Sequence, residues 1–501
     1  MKNKSIPYLL ERVRGRPFLL IILLCIVSRL PQLLSPELLL DGDECVIGLM
    51  AKHFIEGKEI PVFFHGQAYG FSFIETALVS FFYSLWGMSD ICVKLPMLLM
   101  WTAGILFFYK ALTELSTKNK WLPLLVILVF IFSPSWALWS MKARGGYLTS
   151  FFFSSLLLWL ACRKKGINSN LTYFFIGLIL VIIYQSQPFW LPGLLPIIIY
   201  KLYPQVNKKR TGSLAAGIIP LSLVFLWLKL HAANRWSPHV IDISFPTFSH
   251  NFKDIPLLLY NHFNGYYYLY YIYNAPLICN IFSCLLILLT TILIVIAIAS
   301  IFKHYKQHSF FIVSVVSILI TIGYTLFLRE NSRRYVLPLT GFVLFAFFVL
   351  SENIQLHVAA PLRLKKILCI VFILTGIPSI ISFKDYTFYP ARRAEVLASV
   401  DYLQKHDIHY CFSNDGLLQW QIMFYSHEKI ICRESDTIDR YPEYVEAVTD
   451  AFVHDRQHVA IIDDTKDLQS VSPDKAVNVI SHFYIVLQPS DQVLKDMEFK
   501  F

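Results

Sequence analysis

The sequence predicts a polytopic, mostly α-helical membrane protein that carries a small α/β domain near its C-terminal end. Hydrophobic residues make up 56% of the 501 residues and charged residues only 16%, whereas a soluble globular chain carries about 25% charged residues. The shortage of charge falls between residues 17 and 383. There, apolar runs of roughly 17–25 residues have the length that crosses a bilayer core. After residue 386 the charge rises and the apolar runs shorten.

The formal net charge of +10 is spread over small basic clusters between the apolar runs. No aromatic-interleaved basic stripe is present, so a nucleic-acid partner is not expected. Such clusters are typical of cytoplasmic loops, and we place them and the N-terminus in the cytoplasm. The eleven predicted spans are 17–35, 93–113, 121–140, 147–162, 171–187, 190–201, 213–231, 274–302, 309–328, 335–350 and 366–383.

One further apolar run, 71–87, is predicted not to cross the membrane. If it crossed, every later basic cluster would lie outside. If it is half-buried or re-enters from the outer face, all of them lie inside. Glu75, near its start, fits a segment that keeps one end in water. The predicted outer segments are then a first loop at 36–92, a Tyr-rich loop at 232–273 and everything after residue 383.

The chain is predicted to divide into a membrane domain at 1–385 and an extracytoplasmic α/β domain at 386–501. Within the second, apolar residues at helical spacing predict a helix over 391–406. Pro442 marks the start of another helix. Short β-rich runs predict four strands, at 410–412, 430–432, 459–462 and 483–487.

Three carboxylates, Asp41, Asp43 and Glu44, lie at the outer mouth of the first predicted span. An amphipathic segment follows them and closes at Gly57, as expected of a helix lying flat at the interface. On one interpretation Asp43 is the N-cap of that helix. On the other, a carboxylate held at headgroup depth acts as a general base. The two interpretations are compatible.

This arrangement, followed by the His-Gly-Gln-Ala-Tyr-Gly patch at 65–70, resembles the GT-C glycosyltransferases. Within them it is most similar to the bacterial branch of the dolichyl-phosphate-mannose protein mannosyltransferase family, which includes the lipid A aminoarabinose transferases. The resemblance spans the membrane region and is strongest over 29–144. It implies a half-buried second juxtamembrane helix, in agreement with the charge argument for 71–87.

The resemblance also implies an activity and a site. It implies an inverting transfer of a sugar from a polyprenyl-phosphate-linked donor to a glycan, lipid or protein acceptor. This would occur at the outer face of the cytoplasmic membrane, among membrane lipids. The catalytic position of the family falls on Asp43, and Glu44, the second acid of the same Asp-Glu pair, is predicted to be catalytic with it.

A second match is the run at 331–338, which is similar to the family's basic-Tyr-x-x-Pro motif. Arg333 and Arg334 lie on the predicted outer side, against the positive-inside trend. A guanidinium fork suits a phosphate, so we predict that both arginines bind the phosphate of the donor. The alternative is that they only snorkel to lipid headgroups.

The chain departs from the family in the next outer loop, where many members carry a second acid. Residues 141–147 contain no carboxylate but include Lys142 and Arg144. These two cations are predicted to serve in place of a metal as partners of the phosphate. No metal ligands and no certain cofactor are therefore predicted, and a divalent metal is left open.

Other polar and aromatic side chains of the outer segments are predicted to bind substrate. They are His65, Gln67, Tyr69, Tyr147, Gln187 and Tyr335. In the C-terminal domain, an oxidising compartment would allow Cys411 and Cys432 to form a disulfide, and the sequence does not decide whether they do.

Two other functions are weighed against glycosyl transfer. A transporter or flippase of a lipid-linked sugar would be expected to show intramembrane charges and internal repeats. The sequence has almost no acidic residue in mid-span and no repeat. A structural subunit of an envelope complex, with an outer domain that docks a partner, would tolerate replacement of the first-loop carboxylates.

Overall fold

The computed structural model describes residues 17–116, 121–163, 169–231, 241–265, 275–329, 332–353, 361–384, 392–435, 441–465 and 477–499. Over these residues the chain is predominantly helical, with one five-stranded sheet near its C-terminal end. This confirms the predicted fold class.

The helices before residue 385 vary widely in length. They are α1 (Pro17–Val27), α2 (Leu30–Leu33), α3 (Gly42–Ile55), α4 (Phe73–Trp86), α5 (Asp90–Leu115), α6 (Leu122–Ile131), α7 (Pro134–Trp139), α8 (Tyr147–Cys162), α9 (Asn170–Ser186), α10 (Leu191–Leu202), α11 (Lys208–Leu230), α12 (Phe245–Asn264), α13 (Leu277–Lys303), α14 (Tyr305–Thr325), α15 (Leu339–Asn353), α16 (Pro361–Gly376) and α17 (Pro378–Ser382).

Six segments within the described residues are long and apolar enough to cross a membrane. They are Asp90–Leu115, Lys208–Leu230, Leu277–Lys303, Tyr305–Thr325, Arg334–Glu352 and Arg363–Ser382. Large apolar side chains lie exposed on such helices, for example Trp227 and Leu288, as expected of surfaces that face lipid. The chain is therefore a multi-pass membrane protein, and the count of eleven spans stays a prediction.

Several predicted spans are divided in the structure. The predicted span 121–140 is broken into α6 and α7 at Ser133, because Pro134 occupies the first turn of a new helix. The predicted second outer loop contains the helix α12, which was not predicted. Its internal Pro256 and its many polar residues hid the helical pattern. The tyrosines at 266–273 lie outside the described residues.

The first outer loop contains two helices, as predicted, but the N-cap differs from the expected one. Asp41, not Asp43, caps α3: its Oδ1 accepts the backbone N–H of Glu44 at 2.9 Å. The carboxylate of Glu44 accepts the backbone N–H of Asp41 in return, at 3.2 Å. This reciprocal pair is a capping box. It leaves Asp43 in the first turn without a capping role.

Both ends of the first outer loop contact one hydroxyl group. The Tyr425 hydroxyl accepts the backbone N–H of Leu40 at 3.0 Å and donates to Asp90 Oδ1 at 2.7 Å. Leu40 precedes α3 and Asp90 begins α5. Residues 40 and 90 therefore lie on one face of the molecule, which supports the prediction that the intervening helix α4 does not cross the membrane.

Cysteine labelling can check whether the chain between residues 40 and 90 stays on one side of the membrane. In a variant that lacks the exposed Cys284, Ser89→Cys and Lys58→Cys, both at exposed positions, are expected to react equally with a membrane-impermeant thiol reagent added outside. Labelling of Ser89→Cys only after the cytoplasmic face is opened would contradict the path.

The C-terminal α/β segment (392–435, 441–465 and 477–499) contains a sheet in the order β2-β1-β3-β5-β4. Its strands are β1 (Tyr410–Ser413), β2 (Ile431–Glu434), β3 (Val459–Asp464), β4 (Val477–Ile480) and β5 (Phe483–Leu487). Its helices are α18 (Arg393–Lys405), α19 (Leu418–Tyr425), α20 (Pro442–His454) and α21 (Asp491–Asp496). The four predicted strands and two predicted helices are confirmed, while β4, α19 and α21 were not predicted.

The first three strands of this sheet are parallel, and β5 is antiparallel to both of its neighbours. Cys411 and Cys432 lie opposite each other on β1 and β2, both buried. The structure holds them as thiols rather than as a disulfide. Buried sulfurs in adjacent strands behave as small apolar residues of the core.

The α/β segment packs directly on the first outer loop through α19. Gln421 donates its side-chain N–H to the carbonyl of Leu40 at 2.7 Å. A Cβ added at Gly42 would lie only 2.7 Å from the backbone Cα and O of Leu417. Glycine is therefore required at this position by the close approach of two backbones.

Gly42→Ala tests this packing. The new methyl group meets backbone that cannot rotate away, so we expect a loss of about 1–3 kcal/mol, the usual cost of overpacking. The Tm should fall, and trypsin should cleave the α/β segment faster. Gly212→Ala, in α11 with no atom within 4 Å of the added Cβ, is the control. Equal behaviour of the two variants would contradict the close docking of α19 on α3.

Candidate active site

Three carboxylates and three cations meet at the N-terminal end of α3. Asp41 contacts the ammonium group of Lys142, and Glu44 contacts that of Lys94. Asp43 Oδ2 lies 2.5 Å from a guanidinium nitrogen of Arg144. The N-terminal end of a helix also favours negative charge. The arrangement balances three negative charges with three positive charges in a nearly dry site.

The three carboxylates differ in what surrounds them. The side chain of Glu44 is 1% exposed, that of Asp41 4% and that of Asp43 9%. Glu44 uses one oxygen for Lys94 and the other for the capping box. Both oxygens thus help to hold α3 in place, and the predicted catalytic role of Glu44 stays a prediction. Asp43 is the most accessible of the three.

Lys142 is a structural partner of Asp41 and does not face outward. Its side chain is fully buried, and its Nζ lies 3.9 Å from Glu44 in addition to its contact with Asp41. Burial lowers the pKa of Lys142 to about 8. Burial alone would raise the pKa of Asp41, but Lys142 and Arg144 hold it below its ordinary value. Two carboxylates neutralise Lys142 inside the protein, and its contact with a donor phosphate stays a prediction.

Arg144 is placed differently from Lys142. Its side chain is 17% exposed and contacts Asp43, with Asp41 at 3.8 Å. Burial would lower the pKa of Arg144, but Asp43 and Asp41 raise it, and Arg334 is close enough to oppose them. Arg144 therefore holds the carboxylate of Asp43 and lies beside a second guanidinium.

The loop that carries Lys142 and Arg144 is fixed by Glu75. The carboxylate of Glu75 accepts backbone N–H groups from Arg144, Leu148 and Thr149 at 3.2–3.3 Å. Glu75 is fully buried, so the expectation that it keeps one end of α4 in water is wrong. Glu75 thus ties the loop and the first turn of α8 to the start of α4.

The same loop turns through two glycines in the left-handed region, Gly145 with φ of 59° and Gly146 with φ of 91°. A side chain would be strained at either position. Gln187, predicted to bind substrate, donates its side-chain N–H to the carbonyl of Gly145 at 2.8 Å and is buried. Gln187 therefore supports the loop in this structure, and its contact with a substrate stays a prediction.

A row of aromatic rings connects Arg144 to Arg334. The Arg144 guanidinium lies 5.9 Å from the ring of Trp139, which lies 4.8 Å from the ring of Tyr147. Phe189 lies between Tyr147 and Tyr335, with ring centroids at 5.3 and 6.0 Å. Arg334 then lies 5.2 Å from the ring of Tyr335. The structure thus brings the predicted residues Tyr147, Tyr335, Arg144 and Arg334 into one region beside Asp43.

Arg334 carries an incomplete set of contacts. Its Nη2 donates to the Tyr335 hydroxyl at 3.4 Å, whereas its buried Nε has no hydrogen-bond partner among the described residues. A buried donor without a partner is costly. A bound anion would satisfy it. The side chain of Arg333 lies outside the described residues.

The patch at 65–70 divides between two places. Gly70 lies against the carbonyl of Gly145, and the backbone N–H of Phe71 donates to the carbonyl of Gln185 at 2.9 Å. Gln67 and Tyr69 are half-buried, and their contact with substrate stays a prediction. His65 instead lies beside Glu59, among residues of the α/β segment. Its contact with a substrate stays a prediction.

No protein-family model and no curated protein matches this sequence. Solved structures do match. The structure of ArnT from Cupriavidus metallidurans bound to undecaprenyl phosphate matches with a TM-score of 0.58 at 11% sequence identity. The match covers 95% of this chain and 98% of the ArnT chain. An Archaeoglobus fulgidus oligosaccharyltransferase, in complex with Zn and sulfate, has a TM-score of 0.51 at 10% identity. This match covers 90% of this chain and 68% of the oligosaccharyltransferase chain.

The structure of the arabinofuranosyltransferase AftD from Mycobacteria also matches, with a TM-score of 0.52 at 12% sequence identity. This match covers 95% of this chain and 40% of the AftD chain. All three are GT-C glycosyltransferases. At these identities the similarity is one of fold, and it extends over nearly the whole chain. The protein therefore has the GT-C fold that the short motifs around Asp43 implied.

Proposed function

We propose that the chain is a glycosyltransferase that takes its sugar from a polyprenyl-phosphate lipid. The acceptor is a glycan, lipid or protein at the outer face of the cytoplasmic membrane. The single observation that carries this proposal is the position of Asp43. It is the most accessible carboxylate of the cluster, the helix is capped by Asp41 instead, and Asp43 pairs with Arg144 in a GT-C fold.

The chemistry follows from these groups. The carboxylate of Asp43 takes the proton from the acceptor hydroxyl or amine, whose lone pair forms the new bond to the anomeric carbon. The bond between that carbon and the phosphate oxygen breaks on the opposite face, and its electron pair leaves with polyprenyl phosphate. The anomeric configuration is inverted.

The phosphate side of the reaction is assigned to Arg144 and Arg334. Charge-assisted bonds from guanidinium groups to phosphate are short and strong. The unmatched Nε of Arg334 supports this assignment, and ArnT of the same fold was solved with undecaprenyl phosphate bound. The sugar would then lie along the row formed by Tyr147, Phe189 and Tyr335, with Arg333 as a further candidate contact.

Two other predicted features belong to this proposal. The division at residue 385 would separate the membrane part from an extracytoplasmic α/β domain, which packs over α3 and so covers the base-bearing helix.

Metal dependence is left open: in the described part of the active-site cluster each carboxylate is already matched with a cation.

A reconstituted assay tests the function. The chain is purified into nanodiscs and given the polyprenyl-lipid fraction and the envelope extract of the cells in which it is native. One lipid-linked sugar is expected to be consumed, with release of polyprenyl phosphate and appearance of the sugar on an acceptor. A folded protein that consumes none of these donors would contradict the proposal. Movement of an intact lipid-linked sugar across liposomes would indicate a transporter.

A further inference from the structure

A second cluster of ionisable side chains lies at the other end of α3. His53, Glu59 and His65 bring one ligand atom each to within 4.8 Å of one another. Ten residues separate Asp43 from His53, which is about 15 Å along a helix at 1.5 Å per residue. Both histidines are buried, while the side chain of Glu59 is 25% exposed. The cluster is therefore separate from the candidate active site but accessible on one side.

The arrangement suits a metal ion. His53 Nδ1 lies 3.3 Å from Glu59 Oε1, and His65 Nε2 contacts the same oxygen. The two imidazole centroids are 6.0 Å apart. Nitrogen and oxygen ligands of tetrahedral zinc lie about 2.0–2.2 Å from the ion and so about 3.3–3.5 Å from each other. The first pair already has this spacing, and the second needs only a small rotation of the Glu59 side chain.

The outer contacts of His53 also match those of a ligating histidine. Its Nε2 lies 2.6 Å from Glu428 Oε1, and the Tyr444 hydroxyl and the Lys52 ammonium contact the same carboxylate. Metal-bound histidines commonly donate their second N–H to a carboxylate in this way. With Nε2 donating to Glu428, Nδ1 faces the carboxylate of Glu59, either with a second N–H in the charged ring or with a lone pair in the neutral ring. A metal ion between Nδ1 and Glu59 would take the place of that second proton.

Two further features set this cluster apart from an ordinary ion pair. Glu428 and the preceding His427 both have a left-handed backbone, with φ of 61° and 54°. Consecutive non-glycine residues in this region are strained, and such strain collects at functional sites. In addition, His65 Nδ1 is buried without a hydrogen-bond partner among the described residues. No described partner therefore fixes the tautomer of His65, and the tautomer with its proton on Nδ1 presents an Nε2 lone pair towards Glu59.

We propose that His53, Glu59 and His65 bind one divalent transition-metal ion, preferably zinc, and that Glu428 orients His53. Imidazole and carboxylate ligands together suit zinc. Water could complete the coordination, since the side chain of Glu59 is 25% exposed. Glu428 belongs to the α/β segment, as does Tyr441, whose ring stacks on His65 at 5.1 Å. The ion thus fastens the α/β segment to the first outer loop, a role independent of the proposed transfer reaction.

The test uses the full chain in nanodiscs, stripped with a chelator and then equilibrated with zinc chloride. Elemental mass spectrometry is expected to find one zinc per chain, and zinc should raise the Tm relative to the stripped protein. Cobalt is expected to occupy the same site and to give the visible absorption of a tetrahedral centre. A folded wild-type chain that retains no zinc and shows no cobalt spectrum would overturn the proposal.

Variants assign the ligands. Glu428→Gln should weaken zinc binding roughly 10–100-fold, the usual effect of losing an orienting partner, and Glu59→Gln should weaken it further. Glu56→Gln is the matched control, because Glu56 pairs with Lys52 and Lys58 at the same helix end but lies outside the cluster. Undiminished zinc in Glu59→Gln would overturn the assignment and point to the exposed group of Asp407, His409 and His458. If Glu59→Gln does not fold, the wild-type titration and the cobalt spectrum decide.

Discussion

Replacing Asp43 by Asn is expected to reduce sugar transfer by roughly 10²–10⁴-fold, the usual contribution of a positioned general base. An amide cannot take the proton of the acceptor. Folding should be affected less than in Asp41→Asn, because Asp41 and Glu44 form the capping box, and Arg144, the partner of Asp43, is 17% exposed and keeps Asp41 at 3.8 Å. The measurement is turnover of the lipid-linked donor by the purified variant, with its Tm recorded beside it.

Asp41→Asn is the matched comparison, since it makes the same chemical change two residues earlier. An amide still caps the helix, but the buried Lys142 loses its closest carboxylate. Removing one partner of a buried ion pair costs about 3–5 kcal/mol, so this variant should lose stability. Normal turnover by Asp43→Asn would remove Asp43 from the mechanism. Equal loss of stability in both variants would make its role structural.

The second large effect is expected at Arg334. Arg334→Gln should lower kcat/KM for the lipid donor by roughly 10–100-fold, since a charge-assisted hydrogen bond contributes about 1.5–3 kcal/mol. The loss should lie mainly in KM, because the contact is made to the donor. Arg334→Lys should recover only part of it, as lysine offers a point charge in place of a planar fork.

The control is Arg329→Gln, which removes an exposed arginine from the same connection between α14 and α15. Both variants are measured in neutral detergent without anionic lipid, where attraction to headgroups is absent. Unchanged kinetics of Arg334→Gln, or full recovery with Lys, would indicate that this arginine only anchors the protein to the membrane.

The parts of the fold that depend on local pattern were predictable from the sequence. Apolar runs located the helices, and β-rich runs located four of the five strands. The helix α12 was not predicted because Pro256 and polar residues obscure its apolar face. The strand β4 was not predicted, because this short edge strand is defined by its pairing with β5, a contact that its four residues alone do not show.

The candidate site was predictable only in its residues, not in their partners. Asp43 and Arg334 were chosen from short motifs, and the structure places them in one region. Lys94 was hidden inside a predicted span, and only tertiary packing shows that it neutralises Glu44. Glu75 lies about seventy residues before the loop it fixes. His65 is predicted to bind substrate as part of the patch at 65–70, and only tertiary packing shows that it lies against Glu59 and Tyr441.

The measurement that tests the central claim most directly is mass spectrometry of the lipid-linked sugars and envelope glycans of cells that lack the chain. We expect one polyprenyl-phosphate-linked sugar to accumulate and the corresponding sugar to disappear from one class of envelope glycan. The wild-type chain should reverse both changes, and Asp43→Asn should reverse neither. Unchanged lipid-linked sugars, or full restoration by Asp43→Asn, would contradict the account.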